Sequence, residues 1–148
     1  MSIIDNIARR MPLIPPHIIG FMPMVLLLPM VIMMGIDAST IPMLIGMVFA
    51  CVAALAIPVF ERQYGAGAFA RALKVPQGGS KWDIWIIIGM VLVAIGALNV
   101  AVGIISMFVP DIGFMFILSS LVGGVAEAVI GRSLINSVCS HKGNTFRL

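Results

Sequence analysis

Glu127 sits inside an apolar run, SSLVGGVAEAVIGRS, at residues 119–133. Ionisable groups at membrane depth are costly to place and are commonly functional. A lone carboxyl on a Gly-rich helix suits the binding of a proton or a monovalent cation. A structural reading stands beside it. Arg132 is only five residues on, which puts Glu127 toward the cytoplasmic end, near water or headgroups, or in a hydrogen bond to a neighbouring helix. Five residues place Arg132 on a different helical face, so an intrahelical ion pair is not expected. Asn99 lies near the centre of another apolar run, and a buried amide there needs partners. A helix–helix hydrogen bond, worth about 1 kcal/mol in a membrane, accounts for it. A ligand site becomes the better reading if Glu127 faces it.

The remaining reactive residue types form no constellation. Cys51 falls within an apolar run and Cys139 in a polar tail, so the two are expected at different depths and unlinked. Neither has a CxxC partner or a nearby set of His ligands, which argues against zinc. His17 and His141 are isolated, and haem ligation finds no second histidine in any span. No phosphate loop, Ser-His-Asp pattern or HExxH appears. Gly65, Gly67, Gly78 and Gly79 follow no strand, which excludes a dinucleotide fingerprint. The expectation is therefore no cofactor, no metal, no catalytic residue and no enzyme. An enzyme acting on lipid is the least supported class, because candidate acids, bases and nucleophiles are missing.

The elements that carry Glu127 and Asn99 follow from composition. The 148 residues are 61% hydrophobic and 10% charged, against about 45–50% and about 25% in soluble domains. Four runs approach the roughly 20 residues that cross about 30 Å of hydrocarbon. They are 18–36, 41–60, 84–109 and 112–130, within a single domain covering 1–148. Pro23 and Pro29 should bend the first. Ser39 or Thr40 can cap the second, and Asp83 the third. Residues 3–11 place Ile3, Ile4, Ile7 and Met11 on one helical face, as in a short interfacial helix; a frayed N-terminus is the alternative. Phe69 to Leu73 could form a helical turn lying on the membrane, and 132–148 reads as a polar tail.

Charge sets the orientation. The 9 Lys and Arg residues all fall in 1–10, 61–83 and 132–148, whereas the short turns at 37–40 and 110–113 carry only Asp37 and Asp111. Basic segments stay cytoplasmic. The fold class expected is all-α and polytopic, four transmembrane helices arranged as two antiparallel hairpins with both termini inside. The location expected is an integral one in a bacterial or archaeal cell membrane. No small-residue cleavage site follows Arg9 and Arg10, so the N-terminus does not read as a cleavable signal. Basic residues flanking apolar spans are an orientation signal, and a nucleic-acid partner is not expected.

Small residues mark packing faces. Ser120, Gly124 and Ala128 repeat every four positions, and Gly89, Gly96 and Gly103 every seven. In lipid, close backbone approach drives helix association. The bilayer and either other membrane subunits or copies of this chain are the expected partners. Two functions follow. The first is a non-catalytic multi-pass subunit of a larger complex, of the energy-converting or secretion type. The second is a small homo-oligomeric transporter or channel using Glu127 and Asn99.

Overall fold

The computed structural model describes residues 2–20, 40–78 and 83–143. Every regular element among them is a helix: α1 (Ile3–Arg10), α2 (Pro16–Gly20), α3 (Thr40–Tyr64), α4 (Ala68–Ala72), α5 (Ile84–Ser106) and α6 (Phe114–Lys142). Three are long and apolar enough to cross a membrane: Met43–Tyr64 within α3, α5 and α6, with mean hydropathies of 2.6, 2.5 and 1.9. The described residues are thus those of a helical membrane protein. The expected first span, with Pro23 and Pro29, falls largely outside the described residues, as does the turn at Asp37.

Local signals explain where the helices start. At α1 the Ser2 hydroxyl accepts from the Asp5 N–H at 3.3 Å and the Asp5 carboxylate accepts from the Ser2 N–H at 3.2 Å. This reciprocal capping box satisfies two donors that a helix end otherwise leaves open. Asp83 caps α5, its carboxylate accepting from the Trp85 N–H at 3.1 Å. At the other end of the α5–α6 hairpin, Asp111 takes a left-handed φ of 69°, a conformation Asp tolerates better than bulky or branched residues.

Two helices outrun their expected ends. α3 continues past Pro58 to Tyr64. α6 runs on through the expected tail to Lys142, 29 residues in all, and closes on Gly143 at φ 71°. At 1.5 Å per residue that is about 43 Å, more than hydrocarbon requires. Protein covers the extension: Leu134, Ile135 and Val138 are fully buried and Cys139 nearly so. Phe69 differs from expectation as well. It is fully buried in the protein core rather than lying on the membrane, because α4 packs against α6.

The tightest packing joins α5 to α6. A methyl group placed on Gly96 would lie 2.5 Å from the Gly124 carbonyl oxygen, and one on Gly131 would lie 2.5 Å from that of Gly89. Only glycine lets the two backbones come this close. α3 lies along the other side of α6.

Candidate functional site

The α5–α6 contact brings Asn99 and Glu127 together. The Asn99 amide Nδ2 donates to Glu127 Oε2 at 2.8 Å. Glu127 is fully buried, and among the described residues no group hydrogen-bonds to its other oxygen, Oε1. The common level of the two residues follows from the helix ends. Asp83 and Lys142 form an ion pair, so the start of α5 and the end of α6 lie at one level. Asn99 follows Asp83 by 16 residues and Glu127 precedes Lys142 by 15. At 1.5 Å per residue both stand about 23 Å above that pair. α6 thus continues well past both Glu127 and Arg132 rather than ending near Arg132.

The small-residue positions frame this pair. Gly124 stands against the Gly96 carbonyl, the Val100 N–H and Asn99 Cβ, while Gly96 stands against Gly124 and Ala128. Gly89 meets Gly131 and Ile135, and Gly103 meets Leu121. Ser120 is buried, and the neighbouring Ser119 hydroxyl donates to the Phe116 carbonyl at 3.0 Å. Both glycine repeats thus find their partners inside this chain.

A second polar assembly, where α3, α4 and α6 meet, escapes sequence reasoning. The Glu61 carboxylate accepts from the N–H groups of Gly67 and Phe69, each at 2.7 Å, and from the Ser137 hydroxyl. Ser137 in turn accepts from the Ala70 N–H at 2.9 Å. His141 Nε2–H donates to the Val75 carbonyl at 2.8 Å. Gln63 ties the N-terminal segment to α3: its Oε1 accepts from the Ile14 N–H at 3.1 Å and its Nε2 donates to the Pro12 carbonyl at 3.2 Å. Arg62 pairs with Asp5 at 3.3 Å. The one legible hint was the apolar set Leu134, Ile135, Val138 and Cys139, whose spacing continues a helical face into the polar tail.

These groups join elements of the chain to one another. Glu61 and Ser137 resemble part of a nucleophile–base pair, yet both Glu61 oxygens are engaged by backbone donors, so Glu61 holds the loop. Among the described residues no group of three or more His, Cys, Asp or Glu side chains converges as a metal site does. An apolar groove of about 510 Å³ runs between α3 and α6, lined by Cys51, Leu55, Pro58, Val122, Val125 and Val129. Such a lining suits hydrocarbon and offers a polar substrate nothing to bind. Comparison of the chain with protein-family models, curated proteins and solved structures returned no match.

Proposed function

We propose that this protein is a non-catalytic, multi-pass integral membrane subunit that packs within a larger membrane complex of the energy-converting or secretion type. The observation that carries this reading is where the polar side chains go. Glu61, Gln63, Ser137, His141, Asp83 and Lys142 all join one element of the chain to another. Asn99 does so between the apolar helices α5 and α6. Around this braced frame, α3 and α5 present bulky apolar side chains outward, among them Val48, Phe49, Val52, Met90, Leu98 and Ile105. That division of labour suits a scaffold embedded in lipid and neighbouring helices. Four spans with both termini cytoplasmic, in a cell membrane, complete the proposal. They rest on the apolar run at 18–36 and on the distribution of Lys and Arg.

One observation favours the second reading, a homo-oligomeric transporter or channel: Asn99 and Glu127 meet deep within the membrane-spanning helices. The glycine repeats pair within the chain, so they are left over neither for a second copy nor for another subunit. Native mass measurement of the protein extracted from its own membrane separates the two. Co-purification with other membrane polypeptides at fixed stoichiometry is the expected result. A pure homo-oligomer would overturn the proposal.

A further inference from the structure

We propose that Glu127 and Asn99 form an intramembrane proton-binding site, with the exchangeable proton on Glu127 Oε1 and the Asn99 amide bonded to the carbonyl oxygen Oε2. This goes beyond the scaffold reading, which needs only that the pair join two helices.

The geometry distinguishes the two carboxyl oxygens. Oε2 accepts from Asn99 Nδ2 at 2.8 Å, as the carbonyl oxygen of a neutral acid does. Oε1 is buried and has no protein partner. A carboxylate would leave a charge on an oxygen that no described group solvates, whereas a hydroxyl leaves only an uncharged donor there. Burial of an unpaired charge is far more unfavourable than burial of a neutral polar group.

Among the described residues, the surroundings supply no counter-charge. α5 has no charged residue between Ile84 and Ser106, and Asp83 lies at its N-terminal end. The charged residues of α3 are Glu61 and Arg62 near its C-terminal end; its Cys51 lines the groove. On α6, Arg132 is exposed and five residues away on another face, while Cys139, His141 and Lys142 are three or more turns off. A metal cation fits poorly. Hard cations such as calcium gather six or more oxygens, and here one carboxyl meets an amide that turns its N–H toward it. A proton needs a single lone pair.

Val125 and Val129 lie on the face of α6 turned away from Glu127 and toward the groove, which reaches Ala126, its neighbour in sequence. The proton enters from water by transient opening of the α5–α6 contact, forms the O–H bond at Oε1, and leaves by the reverse step.

Infrared spectroscopy of the full-length protein in lipid nanodiscs tests this. Protonated carboxyls absorb in a C=O region free of other protein bands. The wild-type minus Glu127→Gln difference at neutral pH should show one such band. It should shift down in D₂O, and Asn99→Ala should move it up by removing the donor to Oε2. Absence of the band means an ionised Glu127 and overturns the proposal. A band that never shifts in D₂O means a sealed structural acid and overturns it equally. If Glu127→Gln does not fold, labelling of the wild-type protein with a hydrophobic carbodiimide provides the readout, since that reagent requires a protonated carboxyl in an apolar place. A Glu127 adduct seen by mass spectrometry supports the site, and an unlabelled Glu127 overturns it.

Discussion

The Asp83 carboxylate and the Lys142 ammonium meet at 2.7 Å, their side chains 11% and 5% exposed, and so tie the first turn of α5 to the last turn of α6. The bond from Lys142 holds the Asp83 carboxyl below its ordinary range, with the Trp85 N–H assisting. A carboxyl lowered in the folded state adds stability above its unfolded value of about 3.9 and loses it as pH falls through the folded value. Detergent-solubilised protein should therefore show a stability component that is constant from neutral pH down to about 5 and lost below about 4. Asp83→Asn should lower stability at neutral pH by about 1–3 kcal/mol, because it strands a buried ammonium. It should also remove that acid-dependent component. Thermal unfolding across pH checks both, and an unchanged acid limb in the variant would count against the pair.

Gly124→Leu should disrupt the fold more than Val122→Leu. A side chain at 124 meets the Gly96 carbonyl at 2.7 Å and the Val100 N–H at 2.9 Å, both backbone atoms that cannot step aside. Overpacking of this kind typically costs about 1–3 kcal/mol, and more when backbones must separate. Val122 lines the groove, where added bulk has room. The fraction of each variant recovered as a monodisperse species after extraction is the measurement. Equal recovery would remove α5–α6 packing as the explanation for the glycine repeat.

Much of this frame is readable from the residues themselves. The long apolar runs, the Asp83 cap and the spacing of Gly89, Gly96 and Gly103 are local or periodic signals, and helices report those well. The partner of Asn99 was stated only as a condition, because no spacing rule links positions on two different helices. The extension of α6 was hidden for another reason. Ser137, Ser140 and His141 make the stretch look like a tail, and contacts of Ser137 and His141 with residues 61–75 make it a core element. Phe69 shows the same limit: an aromatic beside Arg71 suits a membrane surface and a protein core equally until α6 is seen to run beneath it.

Ser137→Ala should loosen the junction of the loop with α6. It removes a donor to Glu61 and an acceptor for the Ala70 N–H, a loss of about 1–3 kcal/mol if the buried partner is left unsatisfied. Cys139, buried two positions on, reports the change. In a Cys51→Ala background, maleimide should react with Cys139 several-fold faster in the Ser137→Ala variant than in its parent. Identical rates would mean that Glu61 holds the loop without the hydroxyl.

The orientation prediction concerns two exposed positions, Gly78 in the loop after α4 and Asp111 in the turn between α5 and α6. Placed as single cysteines in a protein lacking Cys51 and Cys139, they should label oppositely in intact cells. An impermeant reagent should reach position 111 and miss position 78, since the basic loop is expected to be cytoplasmic. The reverse pattern inverts the topology.

Glu127 and Asn99 are best examined as a pair. Glu127→Gln keeps the side-chain shape and an oxygen able to accept from Asn99, so the protein should remain folded with little change in stability. Glu127→Ala strands the Asn99 amide between helices and opens a void at the closest approach of α5 and α6, and should cost about 1–3 kcal/mol. Asn99→Ala leaves both oxygens of the buried carboxyl without a protein partner, and should cost a similar amount. The double alanine variant then loses no further hydrogen bond, so the two effects should fall short of additivity by about 1 kcal/mol, the scale measured for hydrogen bonds between membrane helices. Unfolding of the four proteins in mixed detergent micelles supplies the cycle. Strict additivity would mean that the 2.8 Å contact contributes no coupling. It would leave the glycine contacts alone to hold α5 against α6.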